Sequence, residues 1–435
     1  MQLSEELSKN YTTILKEELV AAMGCTEPIA IAYAAAKAYK ELGVMPDHIR
    51  ITCSGNIIKN VKGVTVPNSG GMKGIEAAAV LGVVGGNPDK MLEVIADADD
   101  EARKKTRELV EAGICDVALA EDVPNLYIKA EMWNEDHKAS VTIEEHHTDI
   151  TEIEKDGKTI FIAEKTSAHE EDDKPKGDRT KMTLQGILDY ATTVDISEVE
   201  EVLERLVTCN TAISQEGLDN PWGARVGKTM LENWTDDVKC YACARAAAGS
   251  DARMSGCPMP VIINSGSGNQ GITVTLPIVT YAERWHLSKE KMYRCLLVSN
   301  LVSIYIKHYI GSLSAFCGAV SAACGAGAGI TYMSGGTYEQ IGGTITNTLG
   351  NVGGIVCDGA KPSCAAKIAS SVHAALLAHY MSVSQKEFRG GEGFVESDVE
   401  QTIKNMGYIG KVGMKETDKE ILNVMIDKVD VNSCL

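Results

Sequence analysis

Residues 316–331 read Phe316-Cys-Gly-Ala-Val-Ser-Ala-Ala-Cys-Gly-Ala-Gly-Ala-Gly-Ile-Thr331, and this stretch decides how the second half of the chain is read. It is built almost wholly from small residues. Twelve glycines lie from Gly311 to Gly354. Small residues let helices pack closely and let backbone approach something bulky. Within and just beyond this region stand three cysteines: Cys317 in Phe-Cys-Gly-Ala, Cys357 in Val-Cys-Asp-Gly and Cys364 in Pro-Ser-Cys-Ala. Three thiolates in such a setting suit an iron–sulfur cluster, which needs soft sulfur ligands in a protected pocket. A cluster held by three cysteines leaves one iron open to act as a Lewis acid. The alternative is three buried cysteines acting as small hydrophobes.

Working outward, the chain has 435 residues, enough for two or three domains and a large core. Its net charge of −18 disfavours nucleic acid and anionic membrane surfaces as partners, because both need a basic footprint. The first residues carry neither a basic nor an apolar leader segment. The most apolar stretch, 296–310, is interrupted by Lys307-His308 and is too short to span a bilayer. A cytoplasmic protein is expected, so its 13 cysteines should be thiols or metal ligands, not disulfides. With 5% aromatics, the core must be made of Ala, Val, Ile, Leu, Met and Gly, which fits helix–helix packing better than a large β-sandwich.

The expected fold class is α+β: a mainly helical catalytic domain with a smaller α+β domain in the N-terminal half. Residues 1–45 read as helices that pack on the catalytic domain. Leu15, Leu19, Val20, Ile29, Ala32, Tyr33 and Ala36 recur at helical spacing. Gly24-Cys-Thr-Glu-Pro28 interrupts them, with Thr26 as a candidate cap and Pro28 in a first turn. Residues 46–165 read as the α+β domain, with strands at 49–54 and 64–67, helices at 75–84 and 91–112, and hairpins over 116–165. Residues 166–180 read as a charged linker, and 181–435 as the helical domain that holds the cysteine triple.

Asn264-Ser-Gly-Ser-Gly-Asn-Gln-Gly271 follows a short apolar run. It gathers backbone N–H groups and small hydroxyls in one loop, suited to a carboxylate. It lacks the spacing of a dinucleotide fingerprint and the lysine of a phosphate loop. Cys25 lies just before a helix start, where the helix dipole lowers a thiol pKa and suits a thiolate base; taken alone, a buried structural cysteine is the better reading. Cys240 and Cys243 form a C-x-x-C on what reads as continuous helix, and are taken as structural. The nine histidines form no metal motif, and His146-His147 is expected at the surface.

Taken together, Gly24-Cys-Thr-Glu-Pro28, Ser265-Gly-Ser-Gly-Asn-Gln-Gly271 and the Cys317/Cys357/Cys364 triple resemble one family along nearly the whole chain: the L-cysteine desulfidases, relatives of the iron–sulfur-dependent L-serine dehydratase alpha chains. The resemblance implies a [4Fe-4S] cluster on Cys317, Cys357 and Cys364, a base at Cys25, and a substrate site from Thr26, Glu27, Ser265, Ser267 and Asn269. It also permits Cys434, the penultimate residue, as a fourth iron ligand. The expected partner is a small amino acid, and a homo-oligomer is compatible with these features. Serine dehydratases carry a Ser/His-rich stretch where this chain has Cys-Thr-Glu-Pro, which favours cysteine as substrate. L-serine dehydration and a non-catalytic iron–sulfur sensor are the alternatives.

Overall fold

The computed structural model describes residues 3–163, 176–311 and 314–429. The fold is α+β, with most of the chain helical and one mixed six-stranded sheet. Two hydrophobic cores organise it. The strands are β1 (Ala21–Met23), β2 (His48–Ser54), β3 (Cys115–Ala120), β4 (Tyr127–Trp133), β5 (Lys138–Glu144), β6 (Ile150–Lys155), β7 (Lys158–Ile162) and β8 (Pro260–Ile262).

The sheet runs β3-β2-β4-β5-β6-β7. Only β2 and β3 are parallel, and a parallel neighbour needs a crossover connection. Helices Gly55–Val61, Gly74–Gly85 and Asp100–Glu111 fill that crossover. In β4, Ile128, Ala130 and Met132 are fully buried and alternate with half-exposed neighbours, as in a sheet covered on one face. The cover is the helix Thr26–Leu42, six of whose alanines are buried. Its small side chains allow helix Gly74–Gly85 to press close: a Cβ on Gly82 would stand 2.3 Å from the carbonyl oxygen of Ala32. The first-half helices therefore divide: Glu5–Glu18 packs in the helical core, Thr26–Leu42 in the sheet core.

The second half is helical, and its glycines act as the composition implies. Helix Gly318–Met333 crosses helix Lys289–Ile310 so closely that a Cβ on Gly325 would lie 2.2 Å from Ser299 O. Cys240 and Cys243 lie buried inside helix Val238–Met254, as expected of structural cysteines. At the chain's end, helix Lys415–Met425 returns to the sheet core. There Leu422 fills the space beside Gly55, and Asp418 pairs with Lys59.

Three local expectations are corrected. Residues 21–23, read as helix, form β1, which pairs antiparallel with β8 (Ala21 opposite Ile262, Met23 opposite Pro260). Such a short strand has too few residues to show alternation. The stretch 64–67 contributes only an isolated bridge between Thr65 and Lys73, while 55–61 is helix capped by Ser54. Thr26 is not a cap: the Ncap position belongs to Cys25, and Thr26 Oγ1 donates to Glu27 Oε2 at 3.1 Å. Cys434 and residues 166–175 of the expected linker lie outside the described residues. Among the described residues no helix is long and apolar enough to cross a membrane.

Candidate active site

Four helices begin at one cavity of about 120 Å³. They start at Thr26, Gly268, Gly318 and Cys364, with Cys25, Ser267, Cys317 and Ser363 as their Ncap residues. None of the four has a side-chain capping bond. Their free N–H groups and positive dipole ends therefore favour a negatively charged occupant. Three buried cations reinforce this: Lys59, Arg253 and Lys307 also line the cavity.

Local backbone pairing sets the cysteines. An antiparallel bridge joins Phe316 to Val356, with Cys317 N–H donating to Ile355 O at 3.1 Å and Cys357 N–H to Ala315 O at 2.6 Å. This brings together thiols 40 residues apart in the chain. The loop after Cys357 is pinned by Asp358, which pairs with Lys361 and Lys367, and Cys364 then opens the next helix. Gly359 fits here because its φ is +92° and a Cβ would meet Lys59 O at 2.1 Å. Cys317, Cys357 and Cys364 all face the cavity, walled between them by Gly318, Ala319, Gly359 and Ala360.

Burial pushes the Cys317 thiol up to about 12, and neighbouring Cys357 adds to the rise. Cys364 is likewise raised by burial and by Cys357, against the pull of Lys367 and Arg253. Burial lowers Lys307 to about 8, although Cys357 and Cys317 oppose the shift. Thiols and cations confined together in this way stabilise a thiolate-bound metal group, because metal ligation removes the protons. Among the described residues no group of three or more His, Cys, Asp or Glu side chains could hold a metal ion. Soft thiolates are the donors an iron–sulfur group would need, and Cys317, Cys357 and Cys364 would be the residues to hold one at this small-walled, electropositive cavity. The Nε of Arg253, Oδ1 of Asn269 and Oε1 of Gln270 are buried at the cavity wall without partners, as befits a site built for a polar occupant.

Cys25 does not behave as its helix position alone implies. Burial, then the charge of Glu27, raises its thiol well above the ordinary value. Its Sγ donates to Glu27 Oε2 at 3.0 Å. The helix start is outweighed by desolvation and a carboxylate, so the thiol holds its proton. Burial alone would raise the Glu27 carboxyl, but His147, Cys25 and Arg253 hold it below its usual value. Asn60 Nδ2 donates to its other oxygen at 3.0 Å.

Cys25, Thr26, Glu27, Ser267 and Asn269 thus share one cavity with the three cysteines. Ser265 does not: it lies in left-handed conformation (φ 49°), its hydroxyl bonded to Asn264, and faces an adjoining cavity of about 360 Å³. The two cavities share Glu27, Gly266, Ser267, Gln270 and Lys307 as walls.

A family model described as the serine dehydratase alpha chain matches residues 77–423. The chain belongs to that family. Similar relatives carry the name UPF0597 protein. Those of Desulfitobacterium hafniense and Finegoldia magna are each 48% identical, covering 98% and 97% of this chain and 99% and 100% of theirs. That of Lachnoclostridium phytofermentans is 49% identical, over 96% of this chain and all of its own. In this serine dehydratase alpha chain relative, sequence reasoning missed Lys59, Asn60, Arg253, Lys307 and His147. Two left a signal: Lys307 interrupts an apolar run and Arg253 ends an alanine-rich helix. His147, expected at the surface, has its Nε2 fully out of solvent and senses the charge of Glu27.

Proposed function

We propose that the protein is a lyase that eliminates sulfide from L-cysteine, giving pyruvate, ammonia and hydrogen sulfide. A [4Fe-4S] cluster on Cys317, Cys357 and Cys364 would be its cofactor. The convergence of three cysteines and four uncapped helix N-termini on one cavity carries this reading. Family membership supports a lyase of the serine dehydratase kind.

When bound, the cluster would supply a Lewis acid at the iron that lacks a protein thiolate. The chain's own residues do the rest. The start of helix Gly268–Arg284, with Ser267, Asn269 and the free Arg253 Nε, receives the substrate carboxylate. Thr26 lies beside it, its hydroxyl 3.5 Å from Gly266 O. Cys25, once its proton has moved off, takes the α-proton. The carbon–sulfur bond then breaks, and sulfide leaves with the bonding pair. The aminoacrylate that forms tautomerises and hydrolyses in water to pyruvate and ammonia. Glu27 accepts from Cys25, Thr26 and Asn60 and is placed to work through Cys25.

The family description itself favours a second reading, dehydration of L-serine at the same site. The test is turnover under argon by cluster-reconstituted protein. Equal amounts of sulfide and pyruvate from L-cysteine, with a higher kcat/KM than for L-serine, are expected. Pyruvate from serine alone would make the protein a serine dehydratase. A formed cluster with neither activity would make it a non-catalytic iron–sulfur protein.

A further inference from the structure

If Cys25 is to accept an α-proton, its own proton must first have a destination. Cys25 is buried and its thiol hydrogen points at Glu27 Oε2, 3.0 Å away. On the connection between β5 and β6 stands His147, which lines the adjoining cavity together with Glu27, and the charges of the two interact. The His147 Nε2 is buried without any partner, yet the ring lines the adjoining cavity of about 360 Å³. A buried, unpartnered ring nitrogen on a residue that shares a cavity with a carboxylate calls for an explanation that packing does not give.

Resting on the lyase reading, the geometry points to a proton relay from Cys25 through Glu27 to His147, with the larger cavity as its outlet. The Cys25 S–H bond breaks and its proton passes to the Glu27 carboxylate, leaving the electron pair on sulfur. The thiolate takes the substrate α-proton and becomes a thiol again. The proton on Glu27 passes through water in the larger cavity, which Glu27 and His147 both line, to the His147 ring and on to solvent. One proton enters from the α-carbon and one leaves through His147, so the chain returns to its starting state. Burial keeps the imidazole neutral and able to accept.

The other groups facing these residues allow this traffic. Around Glu27 stand Asn60 from helix Gly55–Val61 and Arg253 from helix Val238–Met254, with Lys59 and Lys307 on the same cavity wall. Around His147 the outlet holds His146 and Glu145 beside it, with Glu18, Arg179, His308 and Lys307 across it. Glu27 and His147 are positioning residues, acting through Cys25.

Two measurements test the relay. The first needs no turnover: histidine NMR titration of His147, assigned with His147→Ala, in wild type and Glu27→Gln. Removing the carboxylate should lower the His147 pKa by about one unit, tenfold in its proton affinity; an unmoved His147 would disconnect the pair. The second is steady-state kinetics on cluster-loaded enzyme. Glu27→Gln should lower kcat about 100-fold with KM within about threefold, and recover as pH rises and the thiol ionises unaided. Glu27→Asp should restore part of the loss. His147→Ala should lose kcat and regain it with added imidazole, which should do nothing for Glu27→Gln. A raised KM with unchanged kcat in Glu27→Gln would instead make Glu27 a substrate contact. Should wild type turn over neither amino acid, the lyase reading falls and the relay with it. Should wild type turn over while Glu27→Gln keeps its kcat, the relay alone falls.

Discussion

The ammonium of Lys59 and the carboxylate of Asp418, 359 residues apart in the chain, form an ion pair at the wall of the cysteine-lined cavity. The Lys59 side chain is 2% exposed, so Asp418 is what allows a cation to sit there. Removing one partner of a buried pair leaves an uncompensated charge. Asp418→Ala should therefore cost about 3–5 kcal/mol in urea unfolding, and adding Lys59→Met should recover most of it. A double variant no more stable than Asp418→Ala would show that the pair is not the cause.

Lys307 sets a pH dependence of the metal-free protein. Its folded pKa of about 8 lies below the ordinary 10.5, so between those values the unfolded chain binds the extra proton. The Lys307 contribution to stability therefore rises with pH across that window and is flat below it, where both states are protonated, while the buried thiols, raised by burial, pull the other way above the ordinary thiol value. Lys307→Met should remove this rising contribution, so that its stability falls more steeply above pH 8 than wild type's, and, in metal-free protein at neutral pH, add stability of the order of 3 kcal/mol. Thermal unfolding of the two proteins at a series of pH values checks this.

Close helix crossing fixes the site from a distance. Gly325→Ala forces helix Gly318–Met333 off its neighbour and carries Cys317 with it. We expect a loss of about 1–3 kcal/mol together with reduced iron after reconstitution. Gly82→Ala meets the Ala32 backbone as tightly but in the sheet core, and should lose stability while keeping its iron. Iron per chain and melting temperature, measured on both, separate the two effects.

Anaerobically reconstituted protein should carry about four irons per chain. Cys317→Ala, Cys357→Ala and Cys364→Ala should each lose the brown colour, whereas Cys240→Ala and Cys243→Ala should keep it. Iron lost from the latter pair and kept in the triple would overturn the ligand assignment.

Much of this site was legible in the sequence because its parts are local. Gly24–Pro28, Ser265–Gly271 and the Cys317 and Cys364 segments each open a helix, and helix starts leave short, dense signatures. What was not legible depends on distant partners. The protonation of Cys25 turns on burial and on Glu27, which outweigh the helix start. His147 looked like surface because its polar neighbours in sequence are indeed exposed, while its own Nε2 turns inward. β1 was hidden because three residues cannot display a period, and its partner lies 240 residues on. The return of helix Lys415–Met425 to Lys59 left no mark, since an amphipathic helix does not announce which surface it will cover.

The cavity also lies on a seam. Cys317 and Cys357 pack with the helical core, while Cys25 and Cys364 pack with the sheet core. Whatever binds all three ligands therefore rivets one half of the molecule to the other. Calorimetry should show a single melting transition while the rivet is in place and two once it is stripped, because binding to the folded state alone couples what it bridges. Oxidative loss of the group would then be a mechanical event as much as a chemical one, loosening the joint between the halves before either half unfolds.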